Sequence, residues 1–296
     1  MARRDPISTL TILFSPAVLV GMTRPLRIEV EDGWYHVKSR GIERRTIFVD
    51  ASYNQHFLDL LEAMSERFSV EVHAYALMGN HYHLILRTPH ANCSQAMQWL
   101  NVSYSAWYNA KRQRVGPVFQ GRFRSALIDG NGAWLLDASV YIHLNPVRTS
   151  ALGQGKATNK AEAKGFVKPE RNEVKDRLTM LREHVWSSYR AYGNYTKIPK
   201  WLCTEQILSR AGGKSEYRKY VQQHVTRGLD TLEFTTFRER IAIGSHAFLE
   251  AARSQILTTS TEQPDRSFVR RDISFEKIVS SVEHVKGARW DAFNAC

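Results

Sequence analysis

Val70-Glu71-Val72-His73-Ala74-Tyr75-Ala76-Leu77-Met78-Gly79-Asn80-His81-Tyr82-His83-Leu84-Ile85-Leu86-Arg87 is the stretch on which the fold turns. Val70 to Met78 is rich in β-branched and aromatic residues, Gly79-Asn80 is a strong turn dipeptide, and His81 to Arg87 forms a second extended run closed by Pro89. Together they predict a β-hairpin. Upstream, Phe57, Leu60, Leu61, Met64 and Phe68 recur at helical spacing, and Trp34-Tyr35-His36-Val37-Lys38 alternates bulky and polar residues after an Asp-Gly turn. Downstream, Met97, Leu100, Tyr104 and Trp107 form the stripe of a second helix that ends in Lys111-Arg112-Gln113-Arg114. Phe123 to Ile128 reads as a fourth strand, and a third helix begins after Asn131-Gly132 and stops at Pro146. The order strand, helix, strand, strand, helix, strand is the split βαββαβ pattern of an α+β ferredoxin-like sandwich, here with an added helix beside the sheet.

The 296-residue chain is 43% hydrophobic and 11% aromatic, a composition that can bury a core and excludes a disordered chain. Lysine and arginine total 41 against 29 acidic residues, a formal charge of +12 that favours a polyanionic partner such as nucleic acid. Cys93, Cys203 and Cys296 are far apart and odd in number, which provides neither a disulfide framework nor a CxxC metal site and suits a reducing cytosol. No apolar run approaches the ~20 residues of a membrane-spanning helix. Arg3 and Arg4 before the apolar stretch Leu10 to Val20 imitate a signal peptide, but Pro16 interrupts the stretch and no small-residue cleavage site follows. Residues 1–21 therefore read as an extension upstream of a start at Met22.

The remaining organisation follows from composition. Residues 22–150 form the core domain, and 151–176, rich in Gly, Lys and Glu, reads as a linker or insertion. Residues 177–257 form a helical accessory region, with an aromatic cluster of Trp186, Tyr189, Tyr192 and Tyr195 and helical stretches near Ser215 to Gly228 and Thr235 to Ala252. Residues 258–296 combine a polar segment with a helical pattern, Ile273 to Phe293, that reads as an incomplete DNA-binding module ending at a truncation.

Two motifs carry chemistry. In His81-Tyr82-His83 the alternation of a strand puts both imidazoles on one face, where they can chelate one divalent ion. His73 and His90 have no comparable spacing and read as structural. In Tyr141-Ile142-His143-Leu144-Asn145-Pro146-Val147-Arg148, Tyr141 and Asn145 are four residues apart and share a helix face. Asn145 offers a carbonyl oxygen suited to Mg²⁺ or Mn²⁺, and Tyr141 offers a phenol that becomes a nucleophile once ionised. His143 is offset by two positions from Tyr141, points elsewhere and is rejected as a base. Pro146 puts Asn145 at the helix end.

Met78-Gly79-Asn80-His81-Tyr82-His83-Leu84-Ile85-Leu86 resembles the histidine–hydrophobic–histidine (HUH) strand of single-tyrosine transposases. The segment Tyr141 to Arg148 is similar to their nucleophile helix in the form found in REP-associated tyrosine transposases. Tyr35-His36-Val37-Lys38-Ser39-Arg40-Gly41 and Gly116-Pro117-Val118-Phe119-Gln120-Gly121-Arg122-Phe123-Arg124 add two further blocks, all four in family order over Trp34 to Arg148. The resemblance implies a metal bound by His81, His83 and Asn145. It also implies attack by Tyr141 that leaves a 5′-phosphotyrosine and a free 3′-hydroxyl. Gly79 stands where proline is commoner in the family, and Asn145 replaces the glutamine of some relatives.

Basic and aromatic residues interleave around this core, as suits single-stranded or hairpin DNA. The candidate DNA contacts are Arg40, Arg44, Lys111, Arg112, Arg114, Arg122, Arg124 and Arg148, while Trp107, at helical spacing with Tyr104, reads as core. The expectation is a cytoplasmic, nucleoid-associated strand-transfer enzyme without a membrane partner, with monomer and homodimer both open. Its main rival is a non-catalytic DNA-binding protein or repressor derived from such an enzyme. An RNA-binding sheet would place aromatic platforms where His81 and His83 stand. A zinc hydrolase lacks a third ligand at standard spacing.

Overall fold

Four strands form where the alternation predicts them: β1 (Gly33–Arg40), β2 (Glu71–Met78), β3 (His81–Thr88) and β4 (Arg124–Ile128). The computed structural model of the chain describes residues 27–148, 152, 158, 161–162, 166–227 and 241–258. The extension at 1–21, part of the linker at 151–176 and the module expected over Ile273 to Phe293 lie outside those residues. The sheet order is β2-β3-β1-β4, with β1 antiparallel to both β3 and β4 and β2 antiparallel to β3. This is the ferredoxin-like arrangement.

Helices α1 (Ala51–Phe68) and α2 (Cys93–Lys111) cover one face. Asp50 starts α1 by accepting from the Ser52 backbone N–H at 2.8 Å, and Ser69 ends it in the left-handed region at φ 52. Tyr35, Val37, Tyr82, Leu84 and Leu86 project from the strands into this layer and pack with Phe57, Leu61, Met64, Leu100 and Tyr104. Trp107 is partly buried against the same core and stacks on His56 with ring centroids 4.1 Å apart.

The alternate strand residues face the other way. There the sheet is covered by α3 (Trp134–His143), α4 (Arg171–Glu183), α5 (Tyr189–Tyr192), α6 (Glu205–Ala211) and α7 (Lys214–Arg227). Ala74 and Ala76 of β2 are fully buried on this face, and their small side chains let α3 approach the sheet. The later chain also protects both sheet edges. Beside β2, isolated bridges link Ala76 to Ser187 and Val72 to Leu202. Beside β4 a short parallel strand, β5 (Ala242–Ile243), extends the sheet.

That strand corrects the reading of Thr235 to Ala252 as one helical stretch. Residues 228–240 lie outside the described part, Ala242 and Ile243 pair with Leu127 and Ile128, and α8 (His246–Thr258) begins only afterwards. Asp129 explains the switch: its carboxylate accepts from the Ser245 backbone N–H at 3.2 Å and from the Ser245 hydroxyl at 2.8 Å. Gly244 lies so close to Asp129 and Phe248 that a Cβ there would fall 2.5 Å from each side chain.

Helix α3 is anchored at its far end by a buried polar cluster. His143 Nδ1 is 2.6 Å from the Tyr217 hydroxyl and Nε2 is 2.7 Å from the Ser188 hydroxyl, while Ser139 Oγ is 2.9 Å from the same Tyr217 hydroxyl. Burial pushes the His143 imidazole from its ordinary 6.5 down to about 3. Above pH 6.5 the folded and unfolded chains hold the same number of protons on this ring. Below it the unfolded ring protonates and the folded one does not, so stability falls as pH drops from about 6.5 towards 3. Thermal unfolding across that window should show this loss, and His143→Gln should reduce the slope by up to ~1.4 kcal/mol per pH unit, the contribution of one proton. An unchanged slope would mean that His143 is not held neutral.

Candidate active site

The strand register assembles three rows of side chains on the α3 face. Arg40 lies opposite His81, Lys38 lies between His83 and Arg124, and His36 lies between Ile85 and Ala126. The His81 and His83 rings are 5.2 Å apart, centroid to centroid. Burial, assisted by Arg40 and Lys38, lowers His81 to about 4. Burial also holds His83 well below 6.5, with further contributions from His36, His81, Lys38 and Arg148. Both rings are therefore neutral at physiological pH and each has a nitrogen lone pair, the state a metal requires.

Helix α3 brings Tyr141 to the same place. Its ring lies 5.9 Å from that of His83 and 5.5 Å from that of His36, both edge-on. The Arg148 guanidinium sits over the Tyr141 ring, 4.6 Å from the centroid. After His143 the chain makes a 3₁₀ turn, Asn145–Val147, which keeps Asn145 beside Tyr141. Pro146 has no N–H to offer the end of the helix, and the Asn145 side chain provides donors there instead. Its Nδ2 donates to the carbonyls of Tyr141 at 2.9 Å and Ile142 at 3.3 Å. Carbonyl oxygens only accept, so the amide orientation is fixed and Oδ1 is the atom left for a ligand.

These groups line one open cavity of about 610 Å³. His81, His83, Tyr141 and Asn145 share it with six cationic side chains, Lys38, Arg40, Arg44, Arg122, Arg124 and Arg148, and among the described residues no carboxylate lines it. Among the described residues no cluster of three or more His, Cys, Asp or Glu offers a metal site. A divalent ion fits here only with two neutral imidazoles and an amide oxygen, a donor set compatible with Mg²⁺ or Mn²⁺ when water or phosphate oxygens complete the shell.

Five of the eight arginines and lysines singled out from sequence, Arg40, Arg44, Arg122, Arg124 and Arg148, line this cavity. Lys111, Arg112 and Arg114 lie at the end of α2 and do not. Lys111 bonds the Ser52 hydroxyl at 2.6 Å, and Arg114 packs over the Tyr108 ring. His143 lies outside the cavity with both nitrogens bonded elsewhere. Sequence reasoning passed over Lys38 and His36 as site residues. The period-two alternation Trp34, His36, Lys38, Arg40 puts them on one strand face, but only the register shows that this face is also that of His81 and His83.

Residues 29–143 match the family described as IS200-like transposase. The likeness falls on the part of the chain that runs from β1 to α3. A solved structure of a REP-associated tyrosine transposase bound to a REP hairpin is similar at 15% identity, over 62% of this chain and 92% of that one, with a TM-score of 0.43. A candidate transposase from Deinococcus radiodurans R1 is similar at 17% identity, over 34% of this chain and 83% of that one, with a TM-score of 0.28. No curated protein matches the sequence.

Among the described residues the cavity offers a divalent cation neutral donors and a cationic rim, an arrangement that disfavours a free ion. A phosphate at ~4 Å would contribute a few kcal/mol of attraction before screening. Mn²⁺ affinity measured by electron paramagnetic resonance on the Tyr141→Phe variant should thus rise by about tenfold or more when a palindromic single-stranded oligonucleotide is added. Equal affinity with and without DNA would show that the cation excess does not govern the site.

Proposed function

We propose that this domain is a transposase that cleaves and rejoins single-stranded or hairpin DNA through Tyr141, with His81, His83 and Asn145 holding Mg²⁺ or Mn²⁺. The observation that carries the reading is the meeting of the Tyr141 phenol with two neutral imidazoles inside one basic cavity of a single chain. Tyr141 is only 5% exposed, so a phosphate must enter the cavity to reach it. A flexible single strand can bend into such a recess, whereas a stiff duplex pays to do so.

In the proposed reaction Tyr141 Oη attacks phosphorus in line with the bond to the 3′ oxygen. The new O–P bond forms as the P–O3′ bond breaks, leaving a 5′-phosphotyrosine and a 3′-hydroxyl that takes up a proton. The phenol proton leaves to solvent; His143 cannot take it because both its nitrogens are engaged outside the cavity. When bound, the divalent ion supplies Lewis-acid polarisation of a non-bridging phosphate oxygen. Lys38, Arg40, Arg44, Arg122 and Arg124 grip flanking phosphates and orient the backbone, and Arg148 fixes the plane of the tyrosine ring. Reversal by a second 3′-hydroxyl joins a new strand and regenerates the phenol. Lys111, Arg112 and Arg114 would extend the DNA path beyond the cavity.

A DNA–protein adduct on Tyr141, located by mass spectrometry after incubation with palindromic single strands and Mn²⁺, tests this reading. Tyr141→Phe should abolish the adduct and leave binding within about threefold of the parent. Simultaneous loss of binding and adduct would make the tyrosine structural. His81→Ala should remove cleavage while the fold persists. A non-catalytic DNA-binding protein would form no adduct under any condition. Arg124→Ala should weaken binding and reduce the slope of log affinity against log salt by about 0.7, the signature of one lost phosphate contact on a single strand.

A further inference from the structure

His81 and His83 can serve as ligands only if the right ring nitrogen is bare. A neutral imidazole carries one N–H and one lone pair, and only the bare nitrogen can bind a metal. For His81 three groups decide which it is. Asn80 Nδ2 donates to the Arg44 carbonyl oxygen at 3.0 Å, an acceptor only, so the amide cannot be flipped. Asn80 Oδ1 then faces His81 Nδ1 at 2.7 Å and, having no proton, must receive one. The proton is on Nδ1, and Nε2 is bare. The Arg44 carbonyl belongs to a loop in which Glu43 and Arg44 lie at φ 54 and φ 61, a pair of left-handed residues that non-glycine side chains seldom adopt.

For His83 the partner is another histidine. His36 Nε2 lies 2.9 Å from His83 Nδ1 in a contact where both rings are buried, at 2% and 5% exposure. Only one proton fits between the two nitrogens. If His36 donated it, Nε2 of His83 would carry the other hydrogen and could not be a ligand. His36 does not border the cavity, and His83 does. On the strand-transfer reading His83 must therefore donate through Nδ1 to His36 Nε2, which leaves its own Nε2 bare.

We propose that His36 and Asn80 are positioning residues that hold the proton on Nδ1 of His83 and of His81, so that both Nε2 lone pairs face the basic cavity and a divalent cation there. This deepens the strand-transfer reading of the site and rests on it. It assigns a task to two residues outside the ligand set. Hydrogen-bonded partners of this kind fix both tautomer and ring orientation. Asn80 also ties His81 to the loop carrying Arg44, so the ligand and a phosphate-binding arm share one hydrogen-bonded frame.

Long-range ¹H–¹⁵N spectra of the full chain labelled with ¹⁵N-histidine read each tautomer without any substitution in the tested sample. His81→Gln and His83→Gln serve only to assign the two ring signals. Both rings are expected as Nδ1–H tautomers, and either one found with its proton on Nε2 overturns the proposal. Mn²⁺ titrated into the same samples adds an affinity. His36→Leu and Asn80→Ala are expected to weaken Mn²⁺ binding by about 10–100-fold with backbone spectra preserved. His36→Gln, which keeps an acceptor near His83, should restore most of it. Unaltered Mn²⁺ affinity in both His36→Leu and Asn80→Ala also overturns the proposal. Failure of the strand-transfer reading has a different signature: no adduct on Tyr141 although both rings carry the proton on Nδ1.

Discussion

The site depends on the register of β1 between its two neighbours. Lys38 stands opposite His83 on one side and Arg124 on the other, and this pairing places His36 and Arg40 in adjoining rows. A slip of one residue would turn every β1 side chain to the opposite face. His36, Lys38 and Arg40 would then enter the layer beneath α1 and α2, while Tyr35 and Val37, now 1% and 0% exposed, would point into the cavity. Burial of such side chains contributes roughly 1.5–3 kcal/mol each, and placing unpaired cations in the core would add a larger penalty. The hydrophobic face of β1 thus fixes which side chains reach the cavity from its opposite face.

A second constraint acts on α3. Tyr141 and His143 are two positions apart on one helix and point to different sides. Tyr141 reaches the cavity, and His143 reaches a clamp formed by Tyr217 of α7 and Ser188 before α5. Ser188 in turn bonds the backbone of Tyr75 on β2, through its hydroxyl and its own N–H. Rotation of α3 about its axis would break these buried bonds, and leaving such groups unpaired costs about 1–3 kcal/mol each. The helices after residue 170 therefore help to set the direction of the tyrosine. They also cover the β2 edge and share a continuous core with α3.

The legible parts of the structure are those with short-range logic. The hairpin around Gly79-Asn80, the alternation that pairs His81 with His83, and the four-residue spacing of Tyr141 and Asn145 each depend on one element's own period. His36 and Asn80 escaped notice because their roles are relational. His36 matters through a strand about fifty residues later, and Asn80 matters through the Arg44 carbonyl, which no side-chain pattern announces. The spacing of His143 from Tyr141 says that it points elsewhere but not to what: its partners, Tyr217 and Ser188, lie 74 and 45 residues away. The strand β5 was illegible for a related reason: two residues of pairing leave no periodic trace, and Asp129, which stops the extended chain at Ser245, is 116 residues upstream.

Burial reconciles the two opposed demands on the cavity. DNA binding calls for dense positive charge, and metal binding by imidazole calls for rings without a proton. Ordinary histidines near 6.5 beside a neutral or acidic wall would be partly protonated and would compete with the cation. Here desolvation is the largest cause of the lowered values at both His81 and His83, and the surrounding cations push in the same direction. The cations that would attract a phosphate thus also help to keep the two imidazoles unprotonated. They would oppose a divalent cation, however, and no carboxylate among the described lining residues offsets that opposition. On the strand-transfer reading the missing negative charge belongs to the substrate, so the phosphate is part of the metal shell as well as the group under attack. On that reading the cationic rim would disfavour the ion until a phosphate offsets it, so the cation would be drawn in only with DNA in place.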